Sequence, residues 1–152
     1  MASLRAVPTD STIKITSAVN NGNFIVPTRA TSGAAGFDLC TPYDFIIWPG
    51  QRKLICLGFK MELPIGVCAR ILPRSGLGTK HEIEAFHGLI DSDYRGEMVV
   101  SLKNWSDAPK TFCYGDRIAQ MIIHKIEIPI FEFVDELNIT TRGIGGFGST
   151  GL

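Results

Sequence analysis

Apolar segments of strand length recur from residue 43 to residue 134, separated at intervals of eight to twelve residues by turn signals such as Trp48-Pro49-Gly50 and Pro64-Ile65-Gly66. This rhythm constrains the fold more than any other feature, because strands that short and close cannot be joined by helical crossovers and must pair antiparallel in a sandwich or barrel. Expected strands are Ile13–Ile15, Phe24–Pro27, Phe37–Cys40, Phe45–Ile47, Arg52–Leu57, Gly58–Leu63, Val67–Leu72, Glu97–Leu102, Thr111–Tyr114, Ile118–Ile123 and Ile128–Val134. One short helix is expected around Ser75 to Lys80, with the Ser75 hydroxyl capping its first amides. Asn20-Asn21-Gly22-Asn23 reads as a turn.

A chain of 152 residues suits one domain. The expected division is an N-terminal arm over residues 1–12, a β-barrel over 13–134, and a linker with a glycine-rich, mobile C-terminal arm over 135–152. Lysine and arginine together number 15, as do aspartate and glutamate. No overall charge therefore argues for a long nucleic acid or an anionic membrane, and a small partner bound by a local arginine cluster is the better expectation. Cys40, Cys56, Cys68 and Cys113 lack any CxxC spacing and sit in or beside apolar runs, which reads as free, buried thiols. Neither a signal peptide nor a run of membrane-spanning length is evident, so a cytoplasmic or nuclear location is expected.

Three stretches carry groups suited to chemistry. In Gly88-Leu89-Ile90-Asp91-Ser92-Asp93-Tyr94-Arg95-Gly96-Glu97 a buried strand should stop at Asp91, holding one carboxylate beside an aromatic ring. That placement suits a general base. It equally fits a hairpin in which Asp91 and Ser92 only satisfy turn amides. Pro73-Arg74-Ser75-Gly76 follows a strand with a guanidinium, a hydroxyl and a glycine, a combination that suits an anion and also occurs in ordinary turns. From Arg142 to Gly151 a cation, glycines and hydroxyls surround Phe147, which can close over a flat ring, where stacking is worth about 1–3 kcal/mol. Asp116 and Arg117 can simply pair. His81, His87 and His124 have no metal-ligand spacing, which disfavours a zinc-bound water.

In order, Ala34-Ala35-Gly36-Phe37-Asp38-Leu39, Pro73 to Leu77, Gly88 to Glu97, Gly115-Asp116-Arg117-Ile118-Ala119-Gln120 and Arg142 to Gly151 resemble the five motifs of the trimeric dUTPase family. The resemblance implies an all-β, jelly-roll-like distorted barrel that assembles as a homotrimer with active sites shared between chains. It implies hydrolysis of dUTP to dUMP and pyrophosphate with Mg²⁺, which keeps uracil out of DNA and supplies dUMP for thymidylate synthesis. Carried over by position, Asp91 is the general base. Tyr94 packs on the deoxyribose, and the backbone from His87 through Gly88, Leu89 and Ile90 reads the uracil edge. Arg74, Ser75, Gly76 and Gln120 hold the phosphates, Arg142, Gly148, Ser149 and Thr150 close over the γ-phosphate, and Phe147 covers the uracil. Asp38 contacts Mg²⁺ through its water shell.

The chain departs from the family's usual pattern at Phe37, where Tyr is commoner, and at His87, where a small or amide residue is usual. Two other readings are distinguishable by assay. A nucleotide-binding or signalling module on the same fold would bind without turnover, and a deaminase of the related fold would release ammonia from dCTP.

Overall fold

The computed structural model describes residues 12–18 and 22–146. Eleven strands and one helix follow in the order β1 (Lys14–Ser17), β2 (Phe37–Cys40), β3 (Phe45–Ile47), β4 (Arg52–Cys56), β5 (Phe59–Glu62), β6 (Val67–Leu72), α1 (Ser75–His81), β7 (Ile83–Ala85), β8 (Gly88–Ile90), β9 (Val99–Asn104), β10 (Lys110–Phe112) and β11 (Arg117–Lys125). All pairings are antiparallel. The strands form sheets of order β2-β11-β6-β8, β4-β9-β7, β1-β5 and β3-β10. The result is the expected jelly-roll-like all-β fold.

Alternation along the strands builds the core. On β9, Val100, Leu102 and Asn104 point inward, and on β3 Phe45 and Ile47 do so, while Ile46 between them is exposed. Period-two patterning thus turns one face of each sheet towards Leu39, Ile55, Leu57, Phe59, Met98 and Ile118. Among the described residues two polar side chains, Thr41 and Asn104, are fully buried, and Asn104 lies on the inner face of β9. Its Nδ2 donates to the Ile47 and Ala108 carbonyls at 3.0 and 2.8 Å, and its Oδ1 accepts from the Ser106 amide and hydroxyl. Every hydrogen-bonding position of the amide is used, which is what allows it to be buried.

Several expectations need correction. Phe24 to Pro27 forms no strand, and the pairing there reduces to a single bridge between Thr28 and Asp38. Ile128 to Val134 also forms no strand: after the Ile126 amide bonds the Gly66 carbonyl, the chain leaves the sheet and, among the described residues, finds no neighbour to complete its backbone hydrogen bonds. Ser75 does not cap α1. It is the first helical residue, Arg74 occupies the cap position, and no side chain bonds the first amides. The short strand β7 was not foreseen, because Ile83-Glu84-Ala85 is too brief to show a pattern.

All four cysteines are free, but only Cys68 is buried; Cys40 is half-buried, and Cys56 and Cys113 are exposed. Cys56 lies on the outer face of β4 next to inward-facing Ile55, so an apolar neighbourhood in sequence does not mean burial in space. The residues expected to form the N-terminal arm lie almost wholly outside the described residues, as does part of the Asn20–Asn23 turn. Among the described residues no helix is long and apolar enough to cross a membrane.

Asn104→Ala removes the donor to the buried Ile47 carbonyl and the acceptor of the Ser106 amide, while the Ser106 hydroxyl keeps the Ala108 carbonyl as a partner, and is expected to lower the unfolding free energy by about 1–3 kcal/mol in urea titrations. Unchanged stability would mean that water replaces the amide.

Candidate active site

Strand β11 runs between β2 and β6, bringing three separated stretches of sequence to one groove. The groove has a volume of about 310 Å³, and its walls include Gly36, Asp38, Arg74, Ser75, Arg117 and Gln120. Arg117 and Gln120 are three residues apart, so a regular strand would point them to opposite faces. The register between β11 and β2 shifts between Arg117 and Ala119. That irregularity lets both side chains enter the groove, a common use of a bulge near a site.

Asp38 organises the charges. Its carboxylate, only 14% exposed, lies 3.1 Å from Arg74 Nε and 3.4 Å from Arg117 Nη1, and Arg74 Nη1 donates to the Arg117 carbonyl at 3.1 Å. Two guanidinium groups are thus held side by side around one carboxylate, leaving an excess of positive charge at the wall. Arg117 therefore pairs with Asp38 and not with Asp116, whose Oδ2 accepts from the Cys113 amide. The Cys40 thiol beside this cluster is pushed up, first by burial and then by Asp38.

Gln120 is positioned from both sides. Its Nε2 donates to the Pro73 carbonyl at 2.9 Å, and its Oε1 lies where a side chain at residue 36 would stand: a Cβ on Gly36 would come within 2.7 Å of it. The absence of a side chain at Gly36 makes room for the end of the Gln120 side chain.

The Asp91 segment ends a strand as the sequence suggested, but that strand is not buried: Leu89 is 63% exposed, and Gly88 and Ile90 are half-buried at the edge of the sheet. β8 ends at Ile90, Asp91 follows, and the turn is closed by the Tyr94 amide donating to the Asp91 carbonyl at 3.2 Å. Arg95 ties the same turn through the Ser92 and Tyr94 carbonyls at 2.8 and 2.9 Å. The Tyr94 hydroxyl donates to the Glu97 carbonyl at 2.9 Å, and its ring lies directly over Gly96, where any Cβ would overlap it. Glu97 in turn accepts from the Gly58 amide at 2.9 Å, bracing the turn against the barrel. The Asp91 carboxylate is exposed, and among the described residues no hydrogen bond or ion pair occupies it.

Asp91 and the arginine groove are not brought together within one chain. β8 pairs with β6 through Gly88 opposite Ile71 and Ile90 opposite Ala69, so Asp91 extends towards Cys68. Arg74 lies six residues further along the chain from Cys68, roughly 20 Å at the rise of an extended strand. His87, by contrast, lies at the Arg74 end of β8 and is exposed.

Arg142 bonds locally, its Nε donating to the Gly145 carbonyl at 3.0 Å. Phe147, Gly148, Ser149 and Thr150 lie outside the described residues. Arg117 is the groove residue that the carried-over assignments lacked; its place in Gly115-Asp116-Arg117-Ile118-Ala119-Gln120 was the available signal.

A metal in this groove would find a limited donor set. Among the described residues no three His, Cys, Asp or Glu side chains cluster, and Asp38 already faces two arginines. One carboxylate at the wall of a polar groove fits Mg²⁺ held through its waters, since that ion keeps several waters and takes other ligands from phosphate oxygens. It does not fit a cage made by the protein alone.

A family model described as dUTPase matches residues 22–151. The deoxyuridine 5'-triphosphate nucleotidohydrolase of Avian adenovirus 8 is 48% identical over 127 residues, covering 84% of this chain and 78% of the relative. The enzyme of the same name from Rhodococcus erythropolis is 45% identical over 129 residues, 83% of this chain and 79% of the relative. That from Mus musculus is 44% identical over 125 residues, 82% and 77% respectively. A solved Staphylococcus bacteriophage 80alpha dUTPase with dUPNHPP shares the fold, with a TM-score of 0.84 at 24% identity over 93% of this chain and 99% of that one.

Gly36→Ala is expected to break the Gln120–Pro73 hydrogen bond and to cost about 0.5–1.5 kcal/mol in denaturant unfolding. Gly33→Ala, in the same loop with nothing near its added Cβ, is the control and should cost far less. Equal losses in the two variants would contradict the close-approach role of Gly36.

Proposed function

The chain belongs to the dUTPase family and hydrolyses dUTP, and from that premise we propose a mechanism of in-line water attack on the α-phosphorus with Asp91 as general base. Asp91 accepts a proton from the attacking water, a bond forms from the water oxygen to the α-phosphorus, and the bond from that phosphorus to the α,β-bridging oxygen breaks. The products are dUMP and pyrophosphate. An unpaired, exposed carboxylate on a braced strand end is suited to this, because it must approach a water without first giving up another partner.

The observation that carries the reading is the groove in which Asp38 aligns Arg74 and Arg117 beside Ser75, Gly76 and Gln120. Phosphoryl transfer depends mainly on positioning and neutralising charge, and paired guanidinium groups held by one half-buried carboxylate do both. Mg²⁺, held through water by Asp38, would supply further charge neutralisation to the phosphates. Tyr94, fixed over Gly96, would pack on the deoxyribose and exclude a 2′-hydroxyl, while the backbone from His87 to Ile90 would read the uracil edge. Arg142, Phe147, Gly148, Ser149 and Thr150 would close the site from the C-terminal arm.

The separation of Asp91 from Arg74 supports a site assembled from different chains of a homotrimer. The reacting phosphorus is much closer to the β- and γ-phosphates than these two residues are to each other in one chain. The stretch from Ile128 to Leu137 supports the same assembly, since Ile130, Phe131 and Phe133 are almost wholly exposed in the single chain. Apolar side chains exposed in series are a reason for chains to associate.

Asp91→Asn is expected to reduce pyrophosphate release from dUTP by about 10²–10⁴-fold while leaving nucleotide affinity close to wild type. Near-normal turnover would remove Asp91 from the role of base. Shared sites make a second prediction. When inactive Asp91→Asn chains are refolded together with inactive Arg74→Ala chains, about a quarter of wild-type turnover should return, as random assembly gives some sites both intact residues. A mixture as inactive as its components would place each complete site within one chain.

A further inference from the structure

A second recess adjoins the groove, with Arg74 and Arg117 forming a wall common to both. Its volume is about 260 Å³, and His81, Lys110, Thr111 and Asp116 face it. Helix α1 contributes His81 and β10 contributes Lys110, so this end of the groove is built by elements that the five motifs only partly include.

Lys110 has no carboxylate partner among the described residues. Its ammonium contacts only His81 Nδ1, at 3.5 Å. Lys80 and His81 fall in the last turn of α1, where basic side chains offset the carbonyl end of a helix, and this explains them without a ligand. It does not explain Lys110, which comes from another element and faces the same recess. The one acid there, Asp116, is already bonded to the Cys113 amide. Arg117, 52% exposed, uses only Nη1 on Asp38 and keeps other donors free. The recess therefore has more cationic donors than acceptors, and its geometry suits a compact anion beside Lys110, whose ammonium has protons left after giving one to His81 Nδ1.

We propose that Lys110, His81 and the outer donors of Arg117 form a second anion site, next to the substrate's phosphates and distinct from them, that takes free pyrophosphate. Pyrophosphate as occupant rests on the hydrolysis described above, in which that anion leaves beside this wall. The site holds the departing product after it has separated from dUMP, and makes pyrophosphate an inhibitor that does not need to displace the nucleotide.

The test is calorimetric titration of inorganic pyrophosphate into the full chain, alone and saturated with the non-hydrolysable α,β-imido analogue of dUTP. Pyrophosphate should bind in both cases; Lys110→Ala should weaken it about tenfold, Lys110→Arg should retain it, and analogue affinity should change by less than about twofold. Displacement of pyrophosphate by the analogue would overturn the proposal, as would an unchanged affinity in Lys110→Ala. Parallel weakening of both ligands would also overturn it, by assigning Lys110 to the substrate's own phosphates. Failure of the analogue to bind would count against the dUTP mechanism alone, because Lys110-dependent binding of pyrophosphate to the unliganded protein would still support the recess.

Discussion

The hydrogen bonding of β11 to β2 on one side and β6 on the other is the constraint on which the groove depends. This strand brings Asp38, the Pro73–Gly76 turn and its own Arg117 and Gln120 to one place, although they are scattered over more than eighty residues of chain. Its register shift next to β2 is as important as its pairing, because it points two side chains of odd spacing in one direction. Ile118 and Ala119, between them, are fully buried, so the strand cannot rotate to undo that arrangement without exposing its core residues.

Electrostatics reinforces this geometry. Two arginines at one wall would repel each other and lose solvation if left unpaired, and a single half-buried carboxylate between them relieves both costs. The carboxylate also fixes their separation and orientation before any ligand arrives, which reduces what a bound phosphate chain must order. A chain with no net charge can in this way present a strongly cationic groove.

The same sheet that builds the groove keeps Asp91 away from it. β8 and β6 are antiparallel, so the end of β8 at which Asp91 emerges lies beside the beginning of β6, whereas Arg74 follows its end. Strand direction alone therefore makes a single chain an incomplete site on the proposed mechanism. Exposed Ile130, Phe131 and Phe133 are consistent with that incompleteness, since both features call for neighbouring chains.

Much of this was legible in sequence because it depends on local rules. The Pro64-Ile65-Gly66 turn and the apolar run after it marked Val67–Leu72 to the residue, the glycine and serine of Pro73-Arg74-Ser75-Gly76 marked the strand-to-helix turn, and Asp91 could be placed at a strand end from the apolar run before it. The ordered motifs were enough to indicate the family. Other features depended on neighbours that sequence does not name. Ile128–Val134 has the composition of a strand but no partner strand, Cys56 has apolar neighbours but an outward face, and Asp116 is adjacent to Arg117 but bonded elsewhere. Sequence by itself determined most of the strands, where they turn and which residues carry charge, since alternation and turn chemistry act over a few residues. Only the tertiary structure decided that Arg117 and Gln120 share a groove and that Asp91 stands apart from it, because a register shift and the direction of a paired strand are set by contacts distant in the chain.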